Sequence, residues 1–166
     1  MGRPVAVVMM DTRSARGQDR SPTYTAFAFE LNRRYVCRHG YDILYLRMLG
    51  QTCQHEELGV RHPSYCKLVA VAEAFSRGYE LVAYLDSDAF FQNSSLPLPT
   101  LLRSFARNQS APHAGNNQTR SLRPPFSWDV SFASDRPFSF GPNAGVQFWR
   151  NTYASRRLLR LWWHLP

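Results

Sequence analysis

The stretch Leu81-Val82-Ala83-Tyr84-Leu85-Asp86-Ser87-Asp88 decides how this sequence reads. Five apolar residues stop abruptly at two carboxylates, the pattern of a buried strand that delivers acidic side chains to its carboxyl end. Near the N-terminus Val5-Ala6-Val7-Val8-Met9-Met10 repeats the pattern and ends on Asp11. Between the two runs, Phe27, Ala28, Leu31 and Tyr35 recur at helical spacing from Tyr24 until His39-Gly40, where glycine supplies a stop. Asp42 to Arg47 predicts a second strand, and Gly50 to Arg61 reads as polar loop. Pro63 suits the first turn of a second helix, with Tyr65, Leu68, Val69, Ala72 and Phe75 as its buried stripe up to Gly78. The resulting β-α-β-α-β order predicts an α/β protein with an open, mostly parallel sheet flanked by helices. Such sheets bind ligands at the carboxyl ends of their strands, so Asp11 and Asp86 are expected at one crevice.

Beyond Asn93 the pattern is weaker. A short helix is predicted over Leu98 to Arg107, a Ser/Asn/Gln-rich surface excursion over Asn108 to Arg123, and a short strand over Val130 to Ala133. Asn143 to Arg150 predicts another strand and Tyr153 to Trp163 a closing helix; there is no internal repeat. The whole of 1–166 is expected to form a single domain, because 166 residues supply one hydrophobic core and not two. With 44% hydrophobic and 19% charged residues the composition is that of a folded chain rather than a disordered one. No apolar run approaches the roughly 20 residues of a membrane helix, and the short N-terminal run is unlike a signal peptide. The formal charge of +8 comes from nineteen Arg and the single Lys67, scattered without any run longer than two. That distribution argues against a basic arm for nucleic acid.

Asp86-Ser87-Asp88 carries the chemistry. Two carboxylates two residues apart in a turn hold a hard divalent cation through oxygen and leave positions for water and phosphate. Seven Asp in 166 residues supply about 0.3 such triplets by chance, and requiring five apolar residues before it lowers this to about 0.005. The competing structural reading has Asp86 capping the turn and Asp88 merely solvated. Cys37, Cys53 and Cys66 have no zinc-like spacing, which leaves one disulfide with a free thiol in an oxidising compartment, or three thiols in a reducing one. His39 is expected to complement a helix dipole, while His55, His62 and His113 fall in loops without partner spacing.

Three segments together resemble a known family: Lys67 within His62-Pro63-Ser64-Tyr65-Cys66-Lys67, the run Tyr84-Leu85-Asp86-Ser87-Asp88-Ala89-Phe90-Phe91, and Asn143-Ala144-Gly145-Val146. The sequence is similar to the GT-A-fold (Rossmann-like) nucleotide-sugar glycosyltransferases, most of all to the α-galactosyl/α-mannosyl/xyloglucan xylosyltransferase group. Asn32-Arg33-Arg34-Tyr35 through His39-Gly40-Tyr41 resembles that group's first helix and second strand. The resemblance implies metal-dependent, retaining transfer of a hexose or pentose from a UDP- or GDP-linked donor to a glycan or glycoprotein acceptor. It implies Mn²⁺, or Mg²⁺, at Asp86 and Asp88, with Asp86 also near the donor ribose. Asp11, Thr12 and Arg13 would meet the nucleotide, and Ser87 lies between the two carboxylates on the donor side. Lys67 would reach a donor phosphate or sugar, and Asn143 and Gly145 would line the donor sugar and acceptor side, where glycine lets the backbone come close.

His164 is weighed as a third metal ligand, but the resembling group places that histidine much further downstream, so a helix-end role is preferred. On the same comparison the chain holds the donor-binding part, and the acceptor-binding part is expected beyond residue 166, together with the packing partners of Trp162 and Trp163. Asn93-Ser94-Ser95, Asn108-Gln109-Ser110 and Asn117-Gln118-Thr119 are N-glycosylation triplets, consistent with a Golgi-lumenal protein. Two alternatives are a degenerate nucleotide- or glycan-binding domain and a haloacid-dehalogenase-like phosphatase. The phosphatase family places its Asp-x-Asp on the first strand, with Thr or Val two residues after the second Asp; here the motif follows the third strand and Phe90 stands at that position.

Overall fold

Side-chain alternation along the inner strands splits the core in two. In the computed structural model, which describes residues 3–13, 23–50, 52–109, 128–134 and 142–166, strand β1 (Arg3–Asp11) lies between β2 (Asp42–Arg47) and β5 (Tyr79–Leu85), parallel to both. Val5, Val7 and Met9 of β1, with Leu81, Ala83 and Leu85 of β5, point to one face. There they pack on Ala28, Tyr35 and Val36 of helix α1 (Tyr24–His39) and on Leu98 and Leu102 of α3 (Leu98–Gln109). Ala6, Val8, Val82 and Tyr84 point the other way, against Leu68, Val71, Ala74 and Phe75 of α2 (Pro63–Ser76) and Leu159 of α4 (Tyr153–Trp163). Strands buried on both faces must be apolar throughout, which is why β1 and β5 read as unbroken hydrophobic runs. Each fully buried Val or Leu contributes roughly 1.5–3 kcal/mol.

The sheet order is β2-β1-β5-β7-β6, completed by β6 (Val130–Ser134) and β7 (Pro142–Arg150). β7 is antiparallel to both its neighbours, so β2, β1, β5 and β6 run one way and β7 against them. The expected open, mostly parallel α/β sheet is therefore present, with one reversed strand. The reversal brings the beginning of β7 beside the end of β5, with Val146 opposite Leu85.

Helix ends follow their local signals. Thr23 caps α1 by accepting Ala26 N–H, and Gly40 closes it at φ 68°, where a side chain would be strained. Pro63 stands in the first turn of α2, and Thr152 and Ser155 form a reciprocal capping box on α4.

The expected helix stripes hold only in part: Phe27 and Val69 are exposed, and α2, apolar nearly all round, buries Cys66, Ala70, Val71 and Ala74 beside Leu68 and Phe75. Three further expectations need correction. The segment Gly50 to Arg61, read as loop, contains a small antiparallel hairpin of β3 (Cys53–His55) and β4 (Gly59–Arg61). Strands of three residues offer too few positions for alternation to register. Trp162 and Trp163, expected to await partners elsewhere, pack on the α2 face within this chain; Trp162 stacks on Trp149, with ring centroids 6.4 Å apart, and meets Phe132 at 5.8 Å. The excursion over Asn108 to Arg123 begins later than expected, because α3 continues through Gln109; residues 110–123, with His113 and Asn117, lie outside the described residues.

The cysteine question resolves as well. Cys53 and Cys66 form a disulfide with Cα atoms 5.6 Å apart, tying the hairpin to α2, and Cys37 is a free, exposed thiol.

Candidate functional site

The register of the three parallel strands sets the site. Met9 is opposite Leu85, so Asp11 and Ser87, each two residues further on, emerge at the same level. One turn into α2, Lys67 reaches up to this edge, and the reversed β7 contributes Asn143 to Gly145 from the far side.

Lys67 Nζ lies 2.8 Å from Asp86 Oδ1 and 3.0 Å from Oδ2, and donates to the Ala144 carbonyl at 3.2 Å. The lysine side chain is only 15% exposed, so the expected phosphate-binding residue is mostly buried and ion-paired to the first carboxylate of the motif. Asp86 N–H donates to the Gly145 carbonyl at 2.7 Å, and Gly145 N–H donates to Asn143 Oδ1 at 2.6 Å. A Cβ on Gly145 would stand 2.8 Å from both Asp86 Oδ2 and Asn143 Oδ1. Glycine is required because the strand backbone passes against the Asp86 carboxylate.

Behind this cluster runs a buried relay that sequence reasoning missed. Trp149 Nε1 donates to Gln147 Oε1 at 2.8 Å, and Gln147 Nε2 donates to the Ala144 carbonyl at 2.7 Å, with Gln147 and Trp149 both at 0% exposure. The signal was a Gln in an otherwise buried strand, since a buried polar side chain has to find partners. Tyr84, also missed, places its hydroxyl 3.4 Å from Asp86 Oδ1 and its ring 5.7 Å from Lys67 Nζ. Burial, reinforced by the Asp86 charge, pushes its phenol well above the ordinary value.

At the end of β1, Arg13 folds back on Asp11. Its Nε donates to Asp11 Oδ1 at 2.9 Å and its Nη2 to Oδ2 at 2.6 Å, a two-pronged pair. Arg13 also donates to Ser87 Oγ at 3.3 Å and to the hydroxyl of Tyr24, over whose ring its guanidinium sits at 4.9 Å. The hydrogen bonds from Arg13 hold the buried Asp11 carboxyl well below the usual carboxylate range, overcoming the opposing effect of burial. Tyr45 donates to the Arg13 carbonyl at 2.8 Å, and its hydroxyl is pushed up to about 12, first by burial and then by the Asp11 charge.

Asp11, Thr12, Arg13, Lys67 and Asp86 line one cleft of about 410 Å³, floored by Tyr84 and edged by Pro63 and Ser64. That volume is within the range of small-molecule sites. Ser87 and Gly145 touch this lining through Arg13 and Asp86, and Asn143 stands one step behind, bonded to Gly145. Asp88 differs from Asp86: it is exposed and makes no hydrogen bond or ion pair among the described residues. Asp86 and Asp88 are hard oxygen donors, and a cation bound through one or two carboxylates with phosphate and water completing its shell fits them. Among the described residues no three His, Cys, Asp or Glu side chains gather as a metal cage.

His164 and His55 belong elsewhere. His55 is buried and its Nδ1 accepts N–H bonds from Glu57 and Leu58, so its proton sits on Nε2, which donates to His164 Nδ1 at 3.0 Å. His55 therefore has partners that its sequence spacing did not reveal. His164 caps α4, in keeping with the helix-end role.

The sequence profile of the galactosyl transferase GMA12/MNN10 family matches residues 3–166. The chain belongs to this family. Membership of the GMA12/MNN10 family leaves the haloacid-dehalogenase alternative without support. The fold is also similar to a solved structure, a glycosyltransferase involved in the glycosylation of the major capsid of PBCV-1, with TM-score 0.62 and 16% sequence identity. The alignment covers 96% of this chain and 65% of that one, so this GMA12/MNN10-family chain spans just under two thirds of the length of that glycosyltransferase. Among curated proteins no relative matches the sequence.

Proposed function

We propose that this chain forms the donor site of a glycosyltransferase that moves a hexose or pentose from a UDP- or GDP-linked donor to a glycan or glycoprotein acceptor. The observation that carries the reading is the convergence of Asp86, Lys67 and the Asn143–Gly145 strand entry on a cleft whose other wall is Asp11, Thr12 and Arg13. A nucleoside diphosphate needs cationic and N–H donors for its phosphates and a polar wall for its base and ribose, and the two sides of the cleft divide along those lines. Mn²⁺ or Mg²⁺ would be held by Asp88 with Asp86. When bound, the cation supplies charge neutralisation for the diphosphate leaving group.

The chain's own residues do the rest. Lys67, mostly shielded from water, supplies a positive charge where negative charge builds on the departing diphosphate, and a shielded charge acts more strongly than a solvated one. Asp86 orients the lysine until donor arrives. Arg13, fixed by Asp11 and Tyr24, presents a guanidinium edge to the nucleotide side. Retention at the anomeric carbon follows the group the sequence resembles. The Cys53–Cys66 disulfide supports an oxidising lumen such as the Golgi as the place of action.

Calorimetry with UDP and GDP, with and without Mn²⁺, tests the reading. Mn²⁺-dependent binding that falls at least tenfold in Asp88→Ala is expected; binding indifferent to both Mn²⁺ and Asp88 would sink it. Incubation with nucleotide sugars, followed by NMR of the anomeric proton in the product, tests transfer and its stereochemistry.

A further inference from the structure

We infer that Asn93 is an N-glycosylation site that carries an oligosaccharide on the side of the molecule away from the cleft. The structure separates the three candidate triplets. Asn117 lies outside the described residues, and the backbone of Asn108 is in α3. Asn93 stands exposed in the turn between β5 and α3, where its Oδ1 accepts the Ser95 N–H at 3.0 Å and closes an Asx turn. Its Nδ2 makes no hydrogen bond among the described residues. The turn is moored rather than loose: Arg38 Nη1 donates to Ser94 Oγ at 3.1 Å, His39 Nε2 meets the Ser94 carbonyl at 3.0 Å, and Tyr35 donates to the Leu96 carbonyl at 2.9 Å.

The second, independent observation is the Cys53–Cys66 disulfide. Such bonds persist in oxidising secretory compartments, where asparagine is also glycosylated. The step is a group transfer from a lipid-diphosphate-linked oligosaccharide, catalysed by the compartment's own transferase. Asn93 Nδ2 attacks the anomeric carbon, the N–C bond forms, the bond from that carbon to the diphosphate oxygen breaks, and one amide proton is lost to a base.

Geometry makes the modification compatible with the proposed site. Helix α1 bonds Arg13 at the cleft through Tyr24 and bonds the Asn93 turn through Arg38. At 1.5 Å per residue these points are about 21 Å apart along the helix. The glycan therefore shields α1's far end and leaves the cleft open. The inference rests on the turn and the disulfide, and does not depend on the transfer reading.

The test is to pass the full chain through a eukaryotic secretory pathway. Alkylation without reductant should label Cys37 alone, identifying the disulfide-bonded protein. That protein is treated with peptide N-glycosidase in ¹⁸O water and mapped by mass spectrometry. Conversion of Asn93 to labelled Asp is expected, with loss of one glycan in Asn93→Gln and in Ser95→Ala and its retention in Ser95→Thr. If Asn93→Gln does not accumulate, Ser95→Ala answers the same question with Asn93 in place. Unconverted Asn93 in disulfide-bonded protein overturns the inference, whatever the chain does with nucleotides. A more than twofold change in UDP affinity after enzymatic deglycosylation overturns the placement away from the cleft.

Discussion

Replacing Gly145 by Ala adds one methyl group at the most crowded point of the site. Its carbon would stand 2.8 Å from Asp86 Oδ2 and from Asn143 Oδ1, and must retreat by roughly half an ångström or more to reach van der Waals contact. The two backbones cannot simply part, because Asp86 N–H is bonded to the Gly145 carbonyl at 2.7 Å. Nor is either side chain slack: Asn143 Oδ1 holds the Gly145 N–H, and Lys67 grips both oxygens of Asp86. The carboxylate has to rotate, and the contact it gives up is one of two charge-assisted bonds to Lys67. Such bonds are worth about 1.5–3 kcal/mol, and 1.4 kcal/mol is a tenfold change in affinity. Gly145→Ala should therefore weaken Mn²⁺-dependent UDP or GDP binding by about tenfold or more and lower the thermal midpoint by a few degrees. Calorimetry on the purified variant, beside a thermal melt, measures both. Affinity within twofold of the unaltered protein, with Lys67 and Asp86 still paired in a crystal structure of the variant, would refute the reasoning.

Other perturbations probe the remaining parts. Lys67→Met removes the cation that occupies Asp86, so nucleotide affinity should fall at least tenfold while Mn²⁺ binding without nucleotide strengthens; titrations of each alone read the opposite signs. Asp11 is held below its unfolded value of 3.8, so its contribution to stability is present above that value and is lost as pH falls through the folded one. Melting temperatures should accordingly decline below about pH 4 more steeply than in Asp11→Asn, measured by circular dichroism across pH 2 to 6. Reducing Cys53–Cys66, which spans 13 residues, should cost about 3 kcal/mol by chain entropy, seen as a lower urea midpoint with reductant that the Cys53→Ser/Cys66→Ser double variant reproduces without it. Trp149→Phe fills most of the same core volume but deletes the indole N–H, so nucleotide affinity should drop severalfold by calorimetry even where thermal stability changes little.

The parts of the fold that were legible in sequence are those whose burial imposes a period. β1 and β5, apolar on both faces, and the existence and stop signals of α1 and α2 read directly, whereas the α2 stripe did not, because that helix is apolar nearly all round and Val69 faces solvent while Cys66, Ala70, Val71 and Ala74 are buried. Strand direction did not: nothing in Asn143 to Arg150 distinguishes a strand running against its neighbour from one running with it, and that reversal is what brings Gly145 to Asp86. The β3–β4 hairpin was too short to carry alternation, and three cysteines left the Cys53–Cys66 pairing open until the hairpin was seen to pack on α2. At the site, residue types were legible and their partnerships were not. Lys67 and Asp86 are on different elements, and only the packing of α2 on β5 reveals that they neutralise one another. The two aspartates, equivalent as letters, differ because one points toward that lysine and the other toward water.

The relay from Trp149 through Gln147 to the Ala144 carbonyl gives the molecule an internal optical reporter. Three hydrogen bonds separate Lys67 Nζ from an indole sealed at 0% exposure. An anion that draws Lys67 off the carbonyl changes how strongly that oxygen holds Gln147, and so the polarity felt by the indole N–H. Emission from Trp149, isolated by replacing Trp128, Trp162 and Trp163 with Phe, becomes a label-free titration of the cleft, read from within the sealed core on the α2 side, where no ligand can quench it by contact.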